Sequence, residues 1–362
     1  MTSVPEPELL DRDRGLDASA ADYPIFVRSV VLAPWSVQPR AGAGEATQLA
    51  ARTVNALNEV ARWANDGQAA DPTACAWLSY LRWAVANGAH LFDDAPHPPA
   101  DDFDRDFPLL ARPGEHAGDS FTALATGRLG EVARPVLPLG GSPEVLARTA
   151  PYGLLPNIGW KSLVALAVDS AAITHGSAEA QTAAAGMALA VHAAFRARDT
   201  GAALGHVVAE TRRVCALMTR PAPVTRDLLA RCCDARSRDA LLDTSTTPEG
   251  QHAASHALAL GFAAVLHAAD EHPGHPAGSG DGIASRALVA LPRESATLEA
   301  ARTVALTVAA ARWGLDAASD APATDPVAAS EKTRADTTAT GERDVRAELL
   351  ILAREWNARW RP

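Results

Sequence analysis

The sequence predicts an all-α fold in a single domain, and three observations carry that expectation. Segment after segment places apolar residues at i, i+3, i+4 and i+7, the spacing of one helix face. Alanine supplies much of the 48% hydrophobic content, while aromatics reach only 5%. Alanine favours helix and loses no side-chain entropy on burial, so an alanine-rich core implies close helix packing. No run alternates apolar and polar residues at period two, as a half-buried strand does.

Taken in order, residues 1–40 read as irregular, with one short apolar piece at 25–32. The first strong helix spans 45–64, with Leu49, Thr53, Leu57 and Val60 on its buried face. Asp71-Pro72 opens the next helix, Asp71 as N-cap and Pro72 in the first turn. It carries Trp77, Leu81 and Val85 and ends near Gly88. Residues 93–113 read as an acidic, proline-rich loop, of a length that is often functional. Further helices are expected at 119–126, 159–173, 177–197, 201–219, 224–234, 248–269, 281–291 and 295–313. Ser177 and Thr247-Pro248 serve as starts. Residues 317–341 form a polar linker, and a last helix within 342–362 shows Val345, Leu349, Leu352 and Trp356 on the face that packs back on the domain.

Composition narrows the partners. The 362 residues carry a net charge of −10 and no Lys/Arg cluster that could track phosphates, which argues against nucleic acid. No stretch of 18 strongly apolar, uncharged residues stands out; the run 158–172 contains Lys161 and Asp169, so no membrane span is expected. Cys75, Cys215, Cys232 and Cys233 form no CxxC pair, and the N-terminal residues are acidic without an apolar run. Free thiols in a reducing, cytoplasmic setting are the simpler reading.

Tests for chemistry return little. His252, His256 and His267 share a helical stripe that could hold zinc. HAASH lacks the glutamate of a zinc protease, and half-exposed histidines on an alanine-rich helix are the plainer reading. His272 and His275 sit in a Pro/Gly loop. Cys75 and Cys215 lie in apolar helices, where a thiol is inert. The Asp run at 101–106 fits no calcium loop and reads as a solvated charge run. The Gly140-Gly141-Ser142 turn could offer backbone N–H groups to a phosphate.

Several short segments, in order, resemble the ADP-ribosylglycohydrolase family. Glu45-Ala46-Thr47-Gln48-Leu49 resembles its T-D-D-T-Q-M helix start, and Tyr80-Leu81-Arg82-Trp83 with Asn87-Gly88 its Y-L-R-W…G. Pro113-Gly114, Thr122-Ala123-Leu124 and Gly127 resemble P-G…S-A-L…G. Arg148-Thr149-Ala150-Pro151-Tyr152-Gly153-Leu154-Leu155 resembles M-R-x-A-P-x-G-L-L. Ala171-Ala172-Ile173-Thr174-His175-Gly176 resembles S-A-x-x-T-H-G, and Trp313-Gly314-Leu315-Asp316 resembles Y-G-L-D. The resemblance implies one all-helical domain over 1–316 with a central cleft. It also implies cleavage of a glycosidic bond of ADP-ribose by two magnesium ions held mainly by carboxylates.

The chain departs from the family at those ligands. T-D-D falls on Gly44-Glu45-Ala46. The C-terminal G-D-S-D-S/T-T-G falls on residues 296–302, leaving Thr297 and Glu299 where aspartates stand and Arg302 where a glycine stands. Arg302, one helical turn from Glu299, is placed to pair with it; a shifted alignment would use Glu294. The family's N-terminal G-D-A-L-G has no counterpart in residues 1–40. The two phosphate-loop glycines fall on Ser142 and Glu144, just after Gly140 and Gly141, and a carboxylate there would repel a diphosphate. The candidate metal ligands thus reduce to Glu45, Thr297 and Glu299. The candidate ligand-binding residues are Gly140, Gly141, Ser142 and His175, the last near the ribose in the family or else a structural histidine.

Three readings follow. One is an impaired relative without magnesium that keeps a site for ADP-ribose, a related nucleotide or a protein partner. A second is an active, metal-independent hydrolase with Glu45 and Glu299 as its carboxylate pair. The third is a scaffold unrelated to ADP-ribose.

Overall fold

The computed structural model describes residues 7–37, 42–99, 101–242, 250–270, 280–292, 295–315 and 344–361. The segment expected to be irregular instead contains α1 (Tyr23–Ser36), a helix of 14 residues. It buries Tyr23, Phe26, Val27 and everything from Ser29 to Pro34, so it lacks the polar face that makes a periodic pattern visible. Phe26 stacks on Phe195 at 4.4 Å between centroids. The chain before α1 is also fixed, since Asn157 N–H donates to the Leu16 carbonyl and Trp160 N–H to that of Asp11. A Cβ at Gly15 would meet the Ile158 nitrogen at 2.1 Å, so only glycine allows this approach.

Helix α2 (Glu45–Asn65) buries Leu49, Thr53 and Leu57 as the pattern predicts. Helix α3 (Pro72–Ala86) starts as predicted, the Asp71 carboxylate accepting from the N–H groups of Thr73 and Ala74. Its buried face is rotated from the one read off the sequence. Ala76, Tyr80, Trp83 and Ala84 face inward with Leu81, whereas Val85 is exposed.

The acidic segment is not a simple loop. It folds into α4 (Asp102–Asp106) and α5 (Pro108–Ala111), anchored by buried Phe103, Phe107 and Leu110. Its charge run is only partly solvated. Asp104 and Asp101 pair with the wholly buried Arg52, and Asp101 also lies 3.1 Å from Arg82.

Short α6 (Asp119–Leu124) and α7 (Val145–Thr149) lead through a 3-10 turn at Ala150–Leu154 into α8 (Trp160–Ala172). Helices α9 (Ala178–Thr200), α10 (Leu204–Leu217), α11 (Pro223–Cys232) and α12 (Ala235–Leu242) follow. A 3-10 turn, Gly250–His252, opens α13 (Ala253–Asp270), and α14 (Gly280–Val289) and α15 (Ala296–Trp313) complete this part. The sequence reading missed α7 and α12; both are short, and α7 is buried along its whole length. Helix α9 is the hub, packed against α8, α10, α13 and α15 and buried from Glu179 to Phe195. Alanines at ten of its positions keep the neighbouring backbones close. The run Gly250–Asp270 is long and apolar enough to cross a bilayer, a feature the sequence reading passed over; here 78% of its window is buried inside the bundle.

Helix α16 (Val345–Trp360) lays Val345, Leu349, Leu352 and Trp356 against α1 and α2. The Trp356 indole N–H donates to the Tyr23 hydroxyl at 2.9 Å, which donates to the Leu154 carbonyl at 2.7 Å. No β-strand occurs among the described residues; two isolated bridges, Leu16 to Pro156 and Glu131 to Arg134, are present. The expected linker 317–341, the Thr247-Pro248 start and the loop with His272 and His275 lie outside the described residues.

Candidate functional site

One polar cluster gathers most of the residues singled out above. Its floor is the start of α2, where Gly44 is the N-cap and Glu45 the first helical residue. Segment 112–119 is drawn over that start by side chains of α2 and α3. Gln48 donates to the Arg112 carbonyl at 2.6 Å and accepts from the Trp83 indole at 2.8 Å, and Asn87 accepts the Gly114 N–H at 2.9 Å. The Ala117 N–H then reaches Glu45 Oε2 at 3.1 Å.

The second wall is the loop 140–144. It is clamped from behind, where Ser177 N–H donates to the Gly140 carbonyl and Ala254 N–H to that of Gly141. Its outward donors are already taken. Asp119 Oδ2 accepts the Gly141 and Ser142 N–H groups at 2.7 and 2.9 Å, and Asp119 N–H donates back to Ser142 Oγ at 2.9 Å. Ser142 Oγ donates to Glu144 Oε1 at 2.7 Å, which also accepts the Ser120 N–H at 3.0 Å. Gly118 lies between the two walls with φ +141°, and a Cβ there would meet the Glu144 carboxylate at 2.7 Å. Glycine is therefore required for both backbone and space.

Behind Glu144 stands a relay. Arg148 donates to Thr174 Oγ1 at 2.6 Å, Thr174 Oγ1 lies 2.7 Å from His175 Nδ1, and His175 Nε2 lies 3.0 Å from the Ser142 carbonyl and 3.4 Å from Glu144 Oε1. Arg148 and His175 have no exposed surface. A buried cation thus faces a nearly buried anion through a hydroxyl and an imidazole. Burial by itself would raise the Glu144 carboxyl, but the bond and charge of His175, with Ser142 Oγ and Ser120 N–H, outweigh it and hold it at about 2. Glu45 goes the other way. Burial, then the neighbouring Glu144 charge, push its carboxyl up to about 8, against smaller pulls from Ala117 N–H and Arg148. Its Oε1 is buried without a hydrogen-bond partner.

The structure therefore joins Glu45, Gly140, Gly141, Ser142 and His175 with Glu144. It places His175 as an internal strut, with both ring nitrogens engaged by protein. Thr297 and Glu299 lie in the first turn of α15, Thr297 buried and Glu299 exposed. The expected Glu299–Arg302 pair does not form; Arg302 turns inward and donates to the carbonyls of Leu288 and Leu291. The histidine stripe does not converge either, since His267 faces Asp239 at 3.4 Å. Among the described residues no three His, Cys, Asp or Glu side chains group to hold a metal ion. The thiols behave as expected, burial pushing Cys75 up to about 11 and Cys215 up to about 12. Asp119 was missed because its partners lie 22 and 23 residues away; its only sequence signal is the Gly118-Asp119-Ser120 turn.

Fold and site define an all-α protein with a polar cluster built from one helix start and two interlocked loops. The sequence profile of the ADP-ribosylglycohydrolase family matches residues 8–340, and the chain belongs to that family. The match takes in the N-terminal segment that had shown no counterpart, α1 included. No curated protein matches the chain.

Proposed function

We propose that this chain is a divergent ADP-ribosylglycohydrolase-family protein that has lost magnesium-dependent cleavage of ADP-ribosyl bonds and keeps its cleft for binding. The observation that carries the reading is the position of the Glu144 carboxylate. It stands on the Ser120 N–H, Ser142 hydroxyl and His175 ring, at a loop position where the family resemblance puts a phosphate-contacting glycine. The donor set also does not suit two magnesium ions, which require several convergent oxygen ligands. Glu144 Oε1 is committed to the Ser120 N–H, the Ser142 hydroxyl and the His175 ring, and among the described residues no three His, Cys, Asp or Glu side chains group to hold a metal ion.

The test is incubation of purified protein with ADP-ribosylated arginine and serine peptides, with and without magnesium. The expected result is no release of ADP-ribose above the uncatalysed rate. Magnesium-dependent release overturns the reading. A metal-independent hydrolase is favoured by one feature, the opposite shifts of Glu45 and Glu144, which keep one carboxyl protonated beside an ionised one. That reading requires release without magnesium, abolished by Glu45→Gln.

A further inference from the structure

The turn Gly140-Gly141-Ser142, a candidate anion cradle in the sequence, already holds an anion from its own chain. Asp119 Oδ2 takes two consecutive backbone N–H groups, Gly141 at 2.7 Å and Ser142 at 2.9 Å. One oxygen between adjacent backbone donors is how a nest holds an oxyanion. The receiving loop is fixed from behind. Ser177 and Ala254 N–H groups clamp the carbonyls of Gly140 and Gly141, and a Cβ on Gly141 would meet the Gln251 backbone at 2.4 Å. The occupant is held differently. Asp119 ends the segment 112–119, in which residues 112–115 and Ala117 are exposed. The ties that draw this segment over α2 and α3 are single bonds to side chains: Gln48 to the Arg112 carbonyl, Gly114 N–H to Asn87, and Ala117 N–H to Glu45.

We propose that loop 140–142 is a carboxylate-binding nest closed in cis by Asp119, and that segment 112–119 is an autoinhibitory strap that must lift before an external carboxylate can take the Gly141 and Ser142 N–H groups. The class of ligand follows from the occupant and its neighbour. The nest holds a carboxylate oxygen already, and Ser142 Oγ joins the same loop to Glu144, whose carboxyl is held ionised. A single negative charge is accommodated beside Glu144, whereas a dianionic phosphate doubles the repulsion. A clamped loop facing an exposed strap places the opening on the strap side. Closure in cis weakens binding in trans by simple proportion. A site open in about 1% of molecules binds about a hundredfold more weakly than the same site left open. This inference rests on the proposal that the cluster is kept for binding, and names the ligand class and what occludes it.

The experiment is a thermal-shift titration of the full chain with sodium formate at fixed ionic strength, with sodium chloride and inorganic phosphate run beside it. Formate is the Asp119 carboxylate without its chain. Asp119→Ala should lower Tm, and formate should raise it again, saturably, by about 1–3 °C; chloride and phosphate should not. The wild-type chain should need at least about tenfold more formate for the same response. Asn87→Ala keeps Asp119 but unties Gly114. It should respond at a formate concentration at least about threefold below wild type, and it carries the test where Asp119→Ala does not fold. Amide exchange at Gly141 and Ser142 of Asp119→Ala should slow when formate is added. An Asp119→Ala protein that ignores formate, or answers phosphate or chloride equally, overturns the proposal and leaves Asp119 a structural cap. An Asn87→Ala response equal to wild type overturns it too. An inert protein whose variants ignore formate refutes this inference alone, whereas magnesium-dependent ADP-ribose release refutes the functional reading.

Discussion

Replacing Glu45 by Gln should stabilise the protein, increasingly so as pH rises above 4.5. The carboxyl is raised from its ordinary 4.5 to about 8 by burial and by Glu144. A raised carboxyl favours the protonated form in the folded state. Its contribution is therefore complete below pH 4.5, declines between 4.5 and 8, and is gone above 8. A shift of that size sets a ceiling of about 5 kcal/mol. Glu45 is partly open to solvent, and screening lowers the expected effect to about 1–3 kcal/mol. Gln is close in shape and keeps an oxygen for the Ala117 N–H. The assay is urea denaturation of both proteins from pH 4.5 to 9.5 at constant salt. The two curves should coincide near pH 4.5 and separate steadily to that gap, with Gln the more stable. A difference independent of pH, or a Gln variant that loses ground as pH rises, would refute the reasoning.

Two further substitutions probe the frame around the cleft. Arg52→Ala removes the buried guanidinium that holds Asp104 and Asp101 and lies 4.4 Å over the Phe103 ring; it should cost about 3–5 kcal/mol by urea denaturation. Glu348→Ala strips the carboxylate that accepts the Leu109 and Leu110 N–H groups at 3.0–3.2 Å. The expected loss is about 1–3 kcal/mol, with amide exchange at Leu109 and Leu110 faster at least tenfold.

The sequence revealed helices wherever one face meets water. Helix α2, with buried Leu49 and Leu57 opposite polar residues, follows the rule. Helix α1 escapes it because both its sides are covered, and α7 because five residues hold no period. At the site, the resemblance located Glu45, Ser142, Glu144 and His175, which the fold gathers. It also offered Glu299, which alignment places at a ligand position and α15 leaves exposed. What was not legible is which acceptor meets which donor. The Glu144 carboxylate looked like a repulsive intrusion on a phosphate loop. It proves instead to be bonded into that loop, a relation set by Ser120 and His175, which are 24 and 31 residues distant in sequence. Arg302 shows the same limit. One helical turn from Glu299, it bonds instead to carbonyls beyond its own helix.

The bond from Trp356 to Tyr23 spans 333 residues of chain. On a ribosome adding about 5–20 residues per second, Tyr23 emerges about 20–60 s before its partner is made. During that interval the face of α1 that α16 will cover has no lid, and the nascent chain presents an apolar strip on its oldest helix. Completion of this core waits on a segment synthesised hundreds of residues later.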